Sequence, residues 1–140
     1  MTIRAAAFAG LLVLLVVGAS AASGDAAARP TEGVVHVAIH FSRFDPDEIR
    51  VEPGQTVRFV IENTDPIDHE FILGDAEVQR VHEEGTEAHH APRPGEVSVP
   101  AGATVETTYT FPGTGIGSSI FGCHLPGHYD FGMRGIVTIG

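Results

Sequence analysis

An antiparallel β-sandwich of seven or eight short strands around one packed core is the fold class the sequence predicts, with one short helix set in a long loop. Three observations predict it. Several stretches alternate apolar and polar residues with a period of two, and each is short. Turn-forming groups separate them at close intervals: Asp45-Pro46, Pro53-Gly54, Asp65-Pro66, Pro100-Ala101-Gly102, Pro112-Gly113 and Pro126-Gly127. No internal repeat is visible, and 140 residues leave room for one such domain plus a leader.

The leader comes first. Ala5 to Val17 is apolar, follows the single positive residue Arg4 and precedes Ala19-Ser20-Ala21. That order of charged region, apolar region and small-residue site reads as a secretory signal peptide over residues 1–21, cleaved near Ala21. A retained membrane anchor is the alternative, since the apolar run can be stretched from Ile3 to Ala22, although its unbroken core is short for a bilayer span. Residues 22–31, Ala-rich with Gly24 and Pro30, are expected to form a flexible spacer, and residues 32–140 the folded domain. Either leader reading places that domain in the periplasm or outside the cell.

The strands follow in order. Val35, Val37, Ile39 and Phe41 share one face of the first, with His36, Ala38 and His40 on the other. A short candidate spans Ile49–Val51. Val57, Phe59 and Ile61 then alternate with Thr56, Arg58 and Glu62. Glu70–Leu73 is next, and after an irregular excursion come Val97–Val99, the alternation of Val105, Tyr109 and Phe111 with Thr104, Glu106, Thr108 and Thr110, then Ser118–Cys123 and Gly135–Ile139. The excursion, Gly74 to Pro94, has no alternation and is rich in acids and histidines. Asp75 is placed to N-cap a short helix from Ala76 to Glu84, with Val78 and Val81 packing back and Gly85 ending it; Thr86 to Pro94 is read as loop.

Charge narrows the function. The chain carries 18 acids against 8 basic residues, all arginine, for a formal charge of −10. Such a surface repels nucleic acid and anionic lipid and favours basic partners or cations, while serving solubility in the ordinary way. Binding to nucleic acid is excluded as a main role.

Cys123 is the only cysteine, so no internal disulfide accounts for it. It opens the run Cys123-His124-Leu125-Pro126-Gly127-His128-Tyr129-Asp130-Phe131-Gly132-Met133, with an imidazole five residues on and a thioether five beyond that. Upstream, His69 follows the turn Asp65-Pro66-Ile67-Asp68. Singly, each has a plain reading as a free thiol, core filler or surface imidazole. Together, two imidazoles, a thiolate and a weak thioether make the donor set of a blue-copper centre, which suits both oxidation states with little rearrangement. His69, Cys123, His128 and Met133 are therefore the candidate ligands of one copper ion.

The segment Gly122-Cys123-His124-Leu125-Pro126-Gly127-His128 with Gly132-Met133, preceded by Asp68-His69-Glu70-Phe71, resembles the cupredoxin family over essentially the whole mature chain. The resemblance implies a Greek-key β-sandwich with a mononuclear type 1 copper held by His69, Cys123, His128 and an axial Met133. Within the family, the Asp-His-Glu-Phe start and the acidic, His-bearing excursion look most like small periplasmic copper-resistance cupredoxins. Photosynthetic plastocyanins usually carry Asn where Glu70 stands, a departure that bears on hydrogen bonding beside the metal and on its potential.

The resemblance also implies a monomeric one-electron carrier, not an enzyme. Leu125, Pro126, Gly127, Ile67, Phe131 and Met133 would form an apolar collar at the His128 edge, and the acidic remainder would steer a redox partner with a basic docking surface. No membrane role is expected unless the leader is retained. Copper buffering is the alternative: His82, His89 and His90, with Glu83, Glu84 and Glu87 nearby, offer donors for extra Cu(II), against the plainer reading of a solvated polar loop. His36 and His40 read as surface residues. His124 is read as a neighbour of the site, because a trinuclear cluster would need His-x-His pairs that this chain lacks.

Overall fold

The computed structural model describes residues 32–85 and 91–140. The expected signal peptide, the spacer, His89 and His90 lie outside the described residues. Nine strands and one helix occur among those described: β1 Glu32–Ile39, β2 Phe44–Asp45, β3 Glu48–Val51, β4 Thr56–Asn63, β5 His69–Gly74, α1 Ala76–Glu83, β6 Glu96–Val99, β7 Thr104–Thr110, β8 Gly117–Gly122 and β9 Arg134–Ile139. The two-residue β2 takes the count past the seven or eight expected.

One sheet has the order β2-β1-β4-β7 and the other β3-β9-β8-β5-β6, so the all-β sandwich stands. It departs from a purely antiparallel arrangement in two places. β1 pairs parallel to β4, from Glu32↔Thr56 to Ile39↔Asn63, and β3 pairs parallel to β9, from Glu48↔Ile136 to Val51↔Ile139. A period of two fixes which face is buried but not which way the neighbour runs. Direction depends on the connection: between β1 and β4 the chain leaves for β3 in the other sheet, which supplies the crossover that a parallel pair requires.

The core lies between the sheets. Val37, Ile39, Val57, Phe59 and Ile61 come from the first, and Phe71, Leu73, Val97, Val99, Phe121 and Val137 from the second. Phe71 joins the layers, with its ring 5.3 Å from Phe59 and 5.3 Å from the stacked Phe121. Cys123 and Met133 belong to this same buried cluster, so one end of the core is also the wall of the candidate site.

Two local expectations are corrected. β1 stops at Ile39, and Phe41, expected on its apolar face, is 80% exposed with φ 51. The left-handed backbone at Phe41 and Ser42 ends the alternation, and Asp65 explains why it is adopted. In α1, Asp75 caps as expected, its Oδ1 accepting from Glu77 N and Val78 N at 3.0 Å, and Gly85 follows the end with φ 69. The buried side chain, however, is Gln79, while Val78 and Val81 are only half-buried. Gln79 Nε2 donates to Ile72 O and Ile120 O at 3.0 Å each, tying the helix to β5 and β8 by polar contacts, while Val78 packs as expected, against Gly74 of β5.

Candidate metal centre

Two arms of chain meet at one pole of the sandwich. The downstream arm runs from Cys123 to Met133 and is held by its own backbone. His128 N donates to Leu125 O at 2.9 Å, Phe131 N to Gly127 O at 3.0 Å and Gly132 N to Tyr129 O at 2.9 Å. Gly127 sits at φ 83, a conformation that a side chain resists. Gly122 is required for another reason: a Cβ there would lie 2.7 Å from the Tyr129 ring. Met133 closes the arm. Its N–H donates to His128 O at 2.9 Å and its carbonyl accepts from Cys123 N at 3.1 Å, so its backbone brackets both, and its side chain is fully buried.

The upstream arm delivers His69, the first residue of β5, and is held by side chains. Asn63 is buried at the end of β4, where Nδ2 donates to Ile67 O at 2.8 Å, Val99 O at 3.0 Å and Pro100 O at 3.1 Å. Asn63 Oδ1 accepts from Asp65 N at 3.0 Å. Asp65 Oδ2 in turn lies 2.9 Å from His69 Nε2. The period-two register of β4 puts Asn63 on the core face with Val57, Phe59 and Ile61, the one sequence signal that pointed to it. For Asp65 there was only its place in a turn.

The arms bring three predicted ligands together. His128 Nδ1 is 3.3 Å from both His69 Nδ1 and Cys123 Sγ, and Cys123 Sγ is 4.0 Å from His69 Nδ1. Among the described residues, these three form the group of His, Cys, Asp or Glu placed to hold a metal. Donors about 2.0–2.3 Å from a shared ion at trigonal angles stand roughly 3.5–3.8 Å apart, so the observed spacing fits one ion. The chemistry fits as well: two imidazole nitrogens and a sulfur converge on one point.

Electrostatics favour the ligand forms of the histidine and oppose that of the thiol. Burial, and His69 facing it, lower the pKa of His128, against the pull of Glu70 and Asp65, so its Nδ1 is available. Burial pushes the Cys123 thiol up to about 11, although the N–H groups of Leu125 and Glu70 work the other way; Glu70 N–H reaches Sγ at 3.4 Å. A metal must therefore displace a proton from Cys123. Burial works against ionised Asp65 too, but the N–H groups of Ser42 and Phe41 and the side chain of His69 hold it below the usual carboxylate range.

His124 is beside the site and turned away from it. Its ring stacks on Tyr129 at 4.6 Å and its Nε2 lies 2.8 Å from Gln79 Oε1, in line with its reading as a neighbour. Burial, with His82 nearby, lowers its pKa to about 4, so it is neutral at physiological pH. His82 sits in α1 and not in a loop, with its side chain 6% exposed, Nδ1 2.8 Å from Val78 O and Nε2 3.5 Å from Glu96 Oε2. In the collar, Phe131 is 77% and Ile67 47% exposed, whereas Met133 is buried and belongs to the interior.

Comparison with known proteins agrees with the geometry. A family model described as a cupredoxin-like domain matches residues 8–96. The copper-resistant cuproprotein CopI of Rubrivivax gelatinosus is 44% identical over 101 residues, covering 69% of this chain and 59% of the relative. This chain thus spans about three-fifths of that protein's length. CopI of Pseudomonas aeruginosa is 31% identical over 94% of each. Among solved structures, auracyanin A of Chloroflexus aurantiacus, a "blue" copper protein, is 26% identical with a TM-score of 0.62, covering 78% of this chain and 99% of its own. Auracyanin B, at 21% identity and the same TM-score of 0.62, covers 77% of this chain and 88% of its own and adds support for the fold alone. Copper is the metal that this fold and donor set take.

Proposed function

The chain belongs to the cupredoxin-like family, and from that premise we propose that it is an extracytoplasmic one-electron carrier. In this reading His69, Cys123, His128 and Met133 would hold its type 1 copper. Bound there, copper supplies one-electron exchange between its cupric and cuprous states. The observation that carries the reading is the convergence of three donor atoms within 4.0 Å, on two arms held in place by their own hydrogen bonds. Preset donors move little when the charge changes, which is what fast electron transfer needs. His128 is half-buried, and Phe131 and Ile67, three and two residues from the ligands His128 and His69, are exposed, so the His128 imidazole edge is the port through which electrons pass to a partner. The acidic surface steers a basic partner and sets its rate of approach more than its affinity. The leader-like residues 1–21 support export.

The test is the visible and EPR spectrum of the copper-loaded protein. An intense thiolate-to-copper band with narrow hyperfine splitting is expected, and Cys123→Ser should abolish the band while the sandwich stays folded. A colourless wild type after loading with cupric salt would end the proposal.

Copper buffering is the second reading, favoured by relatives named as copper-resistant. Titration separates the two. One copper per chain with fast self-exchange supports the carrier, whereas additional Cu(II) lost in His89→Ala/His90→Ala supports buffering. His82 is a poorer donor because it is already engaged with Val78 and Glu96.

A further inference from the structure

Asp65 is 7% exposed and lies outside the set of copper ligands, yet it makes three short contacts. Oδ1 accepts from Phe41 N at 2.7 Å, and Oδ2 accepts from Ser42 N at 2.8 Å and lies 2.9 Å from His69 Nε2. His40 Nδ1 stands 4.0 Å from Oδ1. The two backbone donors come from consecutive non-glycine residues with φ 51. Left-handed backbone costs an L-residue roughly 1–2 kcal/mol, and such strain persists only where the surroundings enforce it. Here it aims two successive N–H groups at one anion, a backbone nest around a carboxylate.

The anion has one further neighbour of consequence. His69 is fully buried, and its other nitrogen, Nδ1, faces His128 Nδ1 at 3.3 Å and Cys123 Sγ at 4.0 Å. Carboxylate at Nε2 selects the tautomer with the proton on Nε2, which leaves the Nδ1 lone pair for a metal. A neutral carbonyl would select that tautomer too, and without a strained turn. A full negative charge does more: it stabilises the more highly charged metal state.

We propose that Asp65 is a positioning residue of the copper centre, fixing the tautomer and aim of His69 and biasing the bound ion toward the cupric state. The proposal rests on the reading of the centre given above, and it assigns a use to the strained turn at Phe41 and Ser42.

The test compares wild type with Asp65→Asn, which keeps the shape and removes the charge, in the full copper-loaded chain. Cupric affinity is expected to fall by about tenfold or more while cuprous affinity changes little. For a one-electron couple, a tenfold change in that ratio raises the potential by about 59 mV. Phe41→Gly keeps the N–H group and relieves the positive φ, so it should leave the ratio unchanged. An unchanged potential in Asp65→Asn with only a lower Tm makes Asp65 a structural tether and overturns the proposal. An equal shift in Phe41→Gly also overturns it, since the turn and not the charge would then be responsible. Should Asp65→Asn fail to fold, long-range proton–nitrogen NMR of the cuprous wild type decides. A slowly exchanging proton on His69 Nε2 supports the proposal, and a freely exchanging one refutes it. A wild type lacking the thiolate–copper band removes the centre itself and this inference with it, a result distinct from a blue wild type with an indifferent variant.

Discussion

The two arms that meet at the metal centre are built by opposite means. Downstream, Cys123 to Met133 is a chain of backbone hydrogen bonds between near neighbours, with Gly127 at a positive φ and Gly122 where the Tyr129 ring leaves no room for a side chain. Upstream, His69 is held by buried polar side chains, Asn63 and Asp65, whose partners come from the turn after β1, the turn before β5 and the end of β6. A local arm yields gradually when one contact is lost, because its neighbours in sequence still hold it. An arm held from afar depends on a few buried groups that have no substitutes. Substitutions upstream should therefore cost more than equally small ones downstream.

Asn63→Ala is the severest way to break the comparison. It leaves the carbonyls of Ile67, Val99 and Pro100 without this donor and Asp65 N without its acceptor. A loss of about 3 kcal/mol is expected from denaturant unfolding, since each buried unmet group costs roughly 1–3 kcal/mol. A loss below about 1 kcal/mol would mean that water replaces the amide and that the upstream arm is not held as described.

A pH titration probes the meeting point. In the metal-free chain the folded thiol of Cys123 holds its proton up to about 11, whereas the unfolded thiol releases it near its ordinary 9.0. The contribution to stability is thus complete below pH 9 and disappears as pH rises toward 11, on the order of 2 kcal/mol. Cys123→Ala should lack that part of the slope. If both proteins weaken identically with pH, another group is the source.

Gly127→Ala is the mildest. The residue keeps φ 83, at a cost of about 1–2 kcal/mol, and its Cβ presses the Phe131 ring at 3.2 Å. The ring is exposed and can yield, so the copper spectrum should survive with a modestly lower Tm. A variant damaged more than Asn63→Ala would reverse the ranking of the two arms.

The same contrast explains what was legible in the sequence. Cys123, His128 and Met133 could be read because a local arm writes its geometry into spacing and turn residues. The N-cap at Asp75 is local in the same sense, its acceptor lying two and three residues from its donors. Gln79 was missed because its partners, Ile72 and Ile120, become neighbours only once β5 and β8 pair. Phe41 was misread because a period of two cannot register that Asp65, 24 residues on, would pull its backbone into a left-handed turn. The parallel pairing of β1 with β4 was hidden for a like reason: both directions of pairing bury the same face.

By itself, then, the order of residues determined the all-β class, the segments that form strands, the helix start and the chemical identity of the metal donors. Each of these depends on period, turn preference or side-chain type, properties that a short stretch carries alone. Only the tertiary structure decided how the strands run beside one another, which polar side chains are buried and how His69 is aimed. Those are set by contacts across tens of residues, and a buried carboxylate or amide has meaning only once its distant partners are in place.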